Sequence, residues 1–185
     1  MSRPTYDNLV LPRPRNGPPY RVVFVCTGNI CRSPMAEVAL RSMVEDLALT
    51  DATRLGPLVE VTSAGTGPWH EGEPMDPRAA AALQRAGFPP HAHVAHQVTR
   101  SSLGHMDLIV SLDRRHQQTL RGLGSDPDRL HLLRSFDRAA GAAADVPDPY
   151  YGDAAEFDAC LAMIAAGCRG IATNLAARLD PTPSS

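Results

Sequence analysis

Between Val22 and Pro34 the chain reads Val-Val-Phe-Val-Cys-Thr-Gly-Asn-Ile-Cys-Arg-Ser-Pro: an apolar run, a short polar loop, then a proline suited to a helix's first turn. Few folds accommodate such a segment. The continuous apolar run suits a strand covered on both faces, and a helix that begins a few residues later must pack back on the sheet, which gives a βα unit.

The same alternation recurs downstream. After Arg21–Cys26, the segments Leu58–Ser63, Met106–Leu112 and Leu130–Leu133 read as strands, and helices are expected at about 34–48, 77–87, 114–123 and 153–179. In the last of these, Phe157, Leu161, Ile164, Cys168, Ile171 and Leu175 recur every three or four residues, a stripe that would lie against the sheet. The order predicts an α/β fold: a doubly wound four-stranded parallel sheet with helices on both faces. The polar loop after the first strand then falls at the sheet's carboxyl edge, where such folds bind ligands.

At 185 residues and 43% hydrophobic content there is material for one full core. Pro4, Pro12, Pro14, Pro18 and Pro19 predict a flexible leader over residues 1–20, residues 181–185 read as a disordered tail, and 21–180 remain as the functional domain. Ala139–Ala144 is the one Ala-rich tract of low complexity. A formal charge of -2 gives no broad cationic surface for nucleic acid or an anionic membrane. No segment approaches the ~20 apolar residues of a membrane span, and the opening Met-Ser-Arg-Pro-Thr-Tyr-Asp lacks the apolar core of a signal peptide. A cytoplasmic monomer is expected, with export lacking a signal peptide as the alternative. Cys26, Cys31, Cys160 and Cys168 show neither a disulfide framework nor zinc-site spacing, so reduced thiols and no metal are expected. All 18 basic residues are Arg, which reads as coding bias.

The loop carries the chemistry. Cys26 and Arg32 are six apart, and the residues between them can wrap so that their N–H groups point at one tetrahedral anion. Gly28 is expected to supply the unusual backbone angles this needs. The dipole of the following helix favours negative charge at the same point, whether phosphate or the Cys26 thiolate. Arg32 can grip two phosphate oxygens with its planar fork, which Lys could not do. Ser33 could donate to the Cys26 sulfur and make it a better leaving group, and Asn29 would hold the loop's shape. Thr27, Gly28, Asn29, Ile30, Cys31, Arg32 and Ser33 thus form the candidate phosphate cradle. A lone cysteine ending a strand is ordinarily core packing; Gly, Asn, Arg and Ser at these offsets turn the reading toward a nucleophile.

Extended by Met35-Ala36-Glu37, this loop resembles the signature of the low-molecular-weight protein tyrosine phosphatases. The similarity continues through Thr62-Ser63-Ala64-Gly65-Thr66 with Trp69, His93-Val94-Ala95-His96-Gln97, Asp113, and Asp148-Pro149-Tyr150-Tyr151-Gly152, over roughly residues 20 to 180. The family often carries Arg where His96 stands. The resemblance implies phosphotyrosine-containing proteins as substrates, Cys26 as a nucleophile forming a phosphocysteine, and no metal or cofactor. It makes Asp148, which by itself would read as a turn former before Pro149, the acid that protonates the tyrosine oxygen and then the base that activates water. It assigns Ser63 and His93, with Asn29 and Ser33, to bracing the loop. Trp69, Tyr150, Tyr151 and Ile30 would wall a slot for the phenyl ring.

Other readings stay open at this point. A phosphoarginine phosphatase would share every catalytic group, although such relatives tend to carry Thr at the place of Ile30. An arsenate reductase would need two further relay cysteines; none lies between Cys31 and Cys160, and Cys160 and Cys168 stand about 12 Å apart along a helix axis, too far for a disulfide. A silent phosphate-binding module is disfavoured because nucleophile, arginine and acid are all present. Cys31 either fills space beneath the loop or traps an oxidised Cys26 as a disulfide. Cys160 and Cys168 read as structural. His70, His91, His105, His116 and His131 read as surface or partly satisfied groups, and Arg114-Arg115 as a solvated helix start.

Overall fold

A computed structural model of the protein describes residues 10–141 and 145–180. Four strands, β1 (Tyr20–Cys26), β2 (Val59–Gly65), β3 (Leu108–Ser111) and β4 (Leu130–Leu132), form one parallel sheet in the order β2-β1-β3-β4. Among the described residues they are joined and flanked by α1 (Arg32–Glu45), α2 (Pro77–Arg85), α3 (Arg100–Gly104), α4 (Arg114–Gly122) and α5 (Ala154–Leu179). This is the doubly wound arrangement read from the sequence. β1 shows why: Val22 and Phe24 enter the larger core beneath α1 and α5, while Val23 and Val25 enter a second core with Ile109, Leu120 and Leu130 on the α4 side. Both faces of the strand are therefore buried, and its apolar run needs no polar alternation.

The stripe on α5 faces the larger core. Phe157, Ile164, Ile171 and Leu175 are fully buried there, each removal from water contributing roughly 1.5–3 kcal/mol. Asp153 caps this helix by accepting from the N–H groups of Ala155 and Glu156. By length and composition α5 could cross a membrane, contrary to the expectation that no segment would; half of its most apolar stretch is buried inside the domain, as in a core helix.

The boundaries moved for local reasons. β2 runs to Gly65, two residues beyond the expected end, because it pairs with β1 as far as Cys26. α1 starts at Arg32 ahead of Pro34; a first-turn proline costs nothing there, since those N–H groups have no partner within the helix. α3 was not anticipated. It is one short turn held by a capping box in which Thr99 and Ser102 exchange side-chain and backbone bonds.

Residues 1–9 and the tail 181–185 lie outside the described residues; of the Pro-rich leader expected to be flexible, residues 11–20 make contacts along the amino edge of the sheet. Leu11 is buried, its carbonyl accepting from the Arg178 guanidinium at the end of α5. The Tyr20 hydroxyl donates to Pro12 O at 3.2 Å. Asp107, completely buried, accepts from Arg15 N at 2.7 Å and Arg21 N at 2.9 Å and lies 3.5 Å from the Arg129 guanidinium. Prolines removed the option of a ladder, and side chains distant in sequence satisfied the backbone instead.

Candidate active site

The loop leaves β1 at Cys26 and enters α1 at Arg32, and its shape is held by one residue. Asn29 is fully buried and has a left-handed backbone, φ 58°. Its side-chain N–H groups donate to Ser33 Oγ and Ser63 Oγ, each at 2.9 Å, and its Oδ1 accepts from His96 N at 3.1 Å. His93 Nε2 donates to its carbonyl at 2.7 Å, which fixes the tautomer; burial lowers the pKa of His93 and keeps the ring neutral. Ser63 in turn donates to the buried Glu37 carboxylate at 2.6 Å, which also meets Arg41 and His91 at 3.2 Å. A left-handed non-glycine persists only where its surroundings over-determine it, and here four polar groups do so.

Gly28 therefore does not play the part expected of it. The left-handed residue is Asn29, and at Gly28 a Cβ would stand 2.6 Å from the His70 ring, which would have to turn aside to admit it. Gly65, beside Cys26, serves similarly, since a Cβ would lie 2.9 Å from Thr27 O. The end of β2 can thus back the loop closely.

Cys26 Sγ lies 3.0 Å from Ser33 Oγ. Ser33 has a single proton and two places for it, because Ala64 O is also 3.2 Å away. With a neutral thiol the proton can rest on Ala64 O; against a thiolate the charge-assisted bond to sulfur is the stronger. Arg32 is buried beneath the loop and forks outward. Nη1 donates to Asp113 Oδ2 at 2.9 Å and Val146 O at 3.1 Å; Nη2 donates to Thr27 Oγ1 at 3.2 Å and Asp148 Oδ2 at 2.5 Å. The Asp148 carboxylate thus holds the outer edge of the arginine. Tyr150 N donates back to Asp148 at 3.2 Å and sets the turn.

These groups share one cleft of about 370 Å³, lined by Cys26, Thr27, Gly28, Ile30, Cys31, Arg32, Trp69, His70, Asp148, Tyr150 and Tyr151. Trp69 and Tyr151 are 68% and 97% exposed, unusual for such large rings, and stand at its mouth. Tyr150 meets Tyr151 edge-on with centroids 5.0 Å apart. The cleft can hold a planar apolar group over an anion cradle. All four cysteines are free; burial pushes the thiols of Cys31, Cys160 and Cys168 up, Cys160 to about 12. No group of His, Cys, Asp and Glu suited to a metal ion occurs among the described residues.

Three histidines are more engaged than the sequence suggested. His70 lines the cleft, its Nδ1 2.7 Å from Glu73 and its ring 6.0 Å from Tyr150. His91 meets Glu37. His116 is buried 2.9 Å from Thr27 Oγ1. The His70 signal was its position next to Trp69; for His91 and His116 the partners are 54 and 89 residues away, and no local pattern carries such contacts.

Comparison with known proteins agrees with this geometry. Residues 21–180 match the family model described as low molecular weight phosphotyrosine protein phosphatase. A low molecular weight protein-tyrosine-phosphatase of Streptomyces coelicolor is 50% identical, the match covering 82% of this chain and 91% of that protein. The low molecular weight protein-tyrosine phosphatase A of Mycobacterium tuberculosis is 47% identical, covering 83% and 90%. Among solved structures, YfkJ from Bacillus subtilis superposes with a TM-score of 0.72 at 31% identity, over 84% of this chain and 94% of that one.

Proposed function

The chain belongs to the family of low molecular weight phosphotyrosine protein phosphatases, enzymes that hydrolyse phosphoric monoesters, and from that we propose that it dephosphorylates phosphotyrosine in proteins through a phosphocysteine at Cys26. The Cys26 sulfur attacks phosphorus, the phosphorus–oxygen bond to the tyrosine breaks, and protonated Asp148 supplies the proton to the departing phenolic oxygen. Asp148, now a carboxylate, takes a proton from water as that water attacks the phosphocysteine. The phosphorus–sulfur bond breaks, phosphate leaves, and Ser33 stabilises the sulfur as charge returns to it. Arg32 and the loop N–H groups balance the charge on the transferring group, with no step needing a metal. Asn29, Ser63 and His93 keep the cradle in shape, and Trp69, Tyr150, Tyr151 and Ile30 hold the ring.

The observation that carries this reading is the convergence of Cys26, Arg32 and Asp148 on one cleft with an aromatic mouth. The aromatic lining from Trp69, Tyr150 and Tyr151 favours an aryl phosphate over phosphoserine. We further propose a cytoplasmic monomer with neither nucleic acid nor membrane as partner, on the formal charge of -2 and on the burial of half of the most apolar stretch of α5 inside the domain. The test is kcat/KM without added metal on phosphotyrosine, phosphoserine and phosphoarginine peptides, with Cys26→Ser as control. A phosphotyrosine preference lost in a folded Cys26→Ser variant is expected. Normal rates in that variant would refute the mechanism, and a phosphoarginine preference would refute the assignment of the slot.

A further inference from the structure

Arg32 has five N–H donors, and their distribution decides how it can meet a phosphate. Both hydrogens of Nη1 are taken by Asp113 Oδ2 and Val146 O. Those of Nη2 go to Thr27 Oγ1 and Asp148 Oδ2, and Nε makes no hydrogen bond among the described residues. When Asp148 lets go, the pair left for an incoming anion is Nε–H and one Nη2–H, the two adjacent donors of a bidentate grip. The other Nη2 hydrogen, on Thr27, joins the two Nη1 bonds to Asp113 and Val146 in setting the plane in which this edge is presented. Thr27 therefore has to present a lone pair to Arg32, not its proton.

His116 determines that. It is buried with Nε2 2.9 Å from Thr27 Oγ1, and Nδ1 lies 3.0 Å from Asp113 Oδ1, though not in line for a hydrogen bond. Burial and the nearby Arg32 charge push His116 down to about 4, so the ring is neutral near pH 7 and one nitrogen is an acceptor. The Asp113 carboxylate favours the proton on Nδ1, which leaves Nε2 to accept the Thr27 proton. The four side chains then close a ring: Asp113 holds Arg32 and faces His116, His116 orients Thr27, and Thr27 accepts from Arg32.

We infer that His116 is a positioning residue for phosphate recognition, acting through the Thr27 hydroxyl to hold the Arg32 guanidinium with its Nε and Nη2 edge toward the cradle. This rests on the reading of Arg32 as the phosphate clamp. The test measures inorganic phosphate affinity and kcat/KM on a phosphotyrosine peptide for the wild type, Thr27→Val, Thr27→Ser, His116→Ala, His116→Gln and the Thr27→Val/His116→Ala pair. Thr27→Val and His116→Ala should each weaken phosphate about tenfold, the worth of one hydrogen bond to a charged group. Because they act in series, the pair should also lose about tenfold, and Thr27→Ser and His116→Gln, which keep the hydroxyl and an acceptor, should recover most of it. Losses that multiply to about a hundredfold, or a Thr27→Val variant within twofold of wild type, would overturn the inference. Should His116→Ala fail to fold, His116→Leu, which fills the space but offers no acceptor, alone and combined with Thr27→Val, carries the same comparison. A wild type that turns over phosphotyrosine with variants indistinguishable from it removes the positioning role alone; a wild type that neither binds phosphate nor hydrolyses the peptide removes the functional reading and this inference together.

Discussion

Replacing Asp148 with Ala should make the protein bind phosphate better while turning substrate over far more slowly. Asp148 Oδ2 sits 2.5 Å from Arg32 Nη2, on a donor that the proposed phosphate grip uses. The Arg32 side chain is 4% exposed but that of Asp148 is 45% exposed, so the pair is valued as partly solvated, at about 1 kcal/mol. An ionised Asp148 also repels the anion: unit charges 4 Å apart interact by about 1 kcal/mol in a water-like medium, and a phosphate dianion roughly doubles that. Relief of both terms amounts to about 1–3 kcal/mol, or a roughly 5- to 150-fold lower dissociation constant. Calorimetric titration of inorganic phosphate near pH 7, in a Cys26→Ser background that prevents covalent chemistry, reads this directly. Asp148→Asn, which keeps the shape and removes the charge, should show most of the gain. Unchanged or weaker binding in a folded Asp148→Ala variant would mean that the carboxylate does not compete for the arginine.

Further outcomes are expected elsewhere. Asn29→Ala removes three side-chain hydrogen bonds from a left-handed position and should cost about 2–4 kcal/mol of stability by urea unfolding, with a loss of kcat larger than any change in KM. Peroxide should convert Cys26 to a sulfenic acid that Cys31 captures as a disulfide with release of water; in Cys31→Ser, thiol treatment should then restore less activity, and equal recovery would exclude Cys31 as the trap. His116 titrates at about 4 in the folded protein against 6.5 ordinarily, so as pH falls the unfolded chain takes the proton first. Stability should drop between pH 6.5 and 4 by up to roughly 3 kcal/mol and level off in this contribution below that, with His93 and His131, also lowered by burial, acting in the same direction. Melting temperatures of wild type and His116→Asn across that range would show the share due to His116.

What could be read from the sequence was what local pattern encodes. The valines around Phe24 fix a strand buried on both faces, the three-and-four spacing from Phe157 to Leu175 fixes the face of α5, and the offsets from Cys26 to Ser33 bring the cradle together. What could not be read depends on contacts across the fold. Five prolines among the first twenty residues exclude a ladder but say nothing of Asp107 or Arg178, which hold residues 11–20 in place. The expectation for Gly28 followed the residue with the freest backbone, whereas Asn29 adopts the strained angle because Ser33, Ser63, His93 and His96 surround it. His116 resembled any histidine near a helix start until Thr27 arrived beside it.

The bound segment from Leu11 to Tyr20 has a mechanical consequence. It runs along the amino edge of the sheet and meets the far end of α5 at Arg178, while Cys26 ends β1 at the opposite edge. Traction on the backbone at either Leu11 or Leu179 would thus be borne by the Arg178 clasp and the buried Asp107, and the phosphate loop would lie outside the line of force. A molecule anchored through these positions would keep the mouth of its cleft turned away from the support.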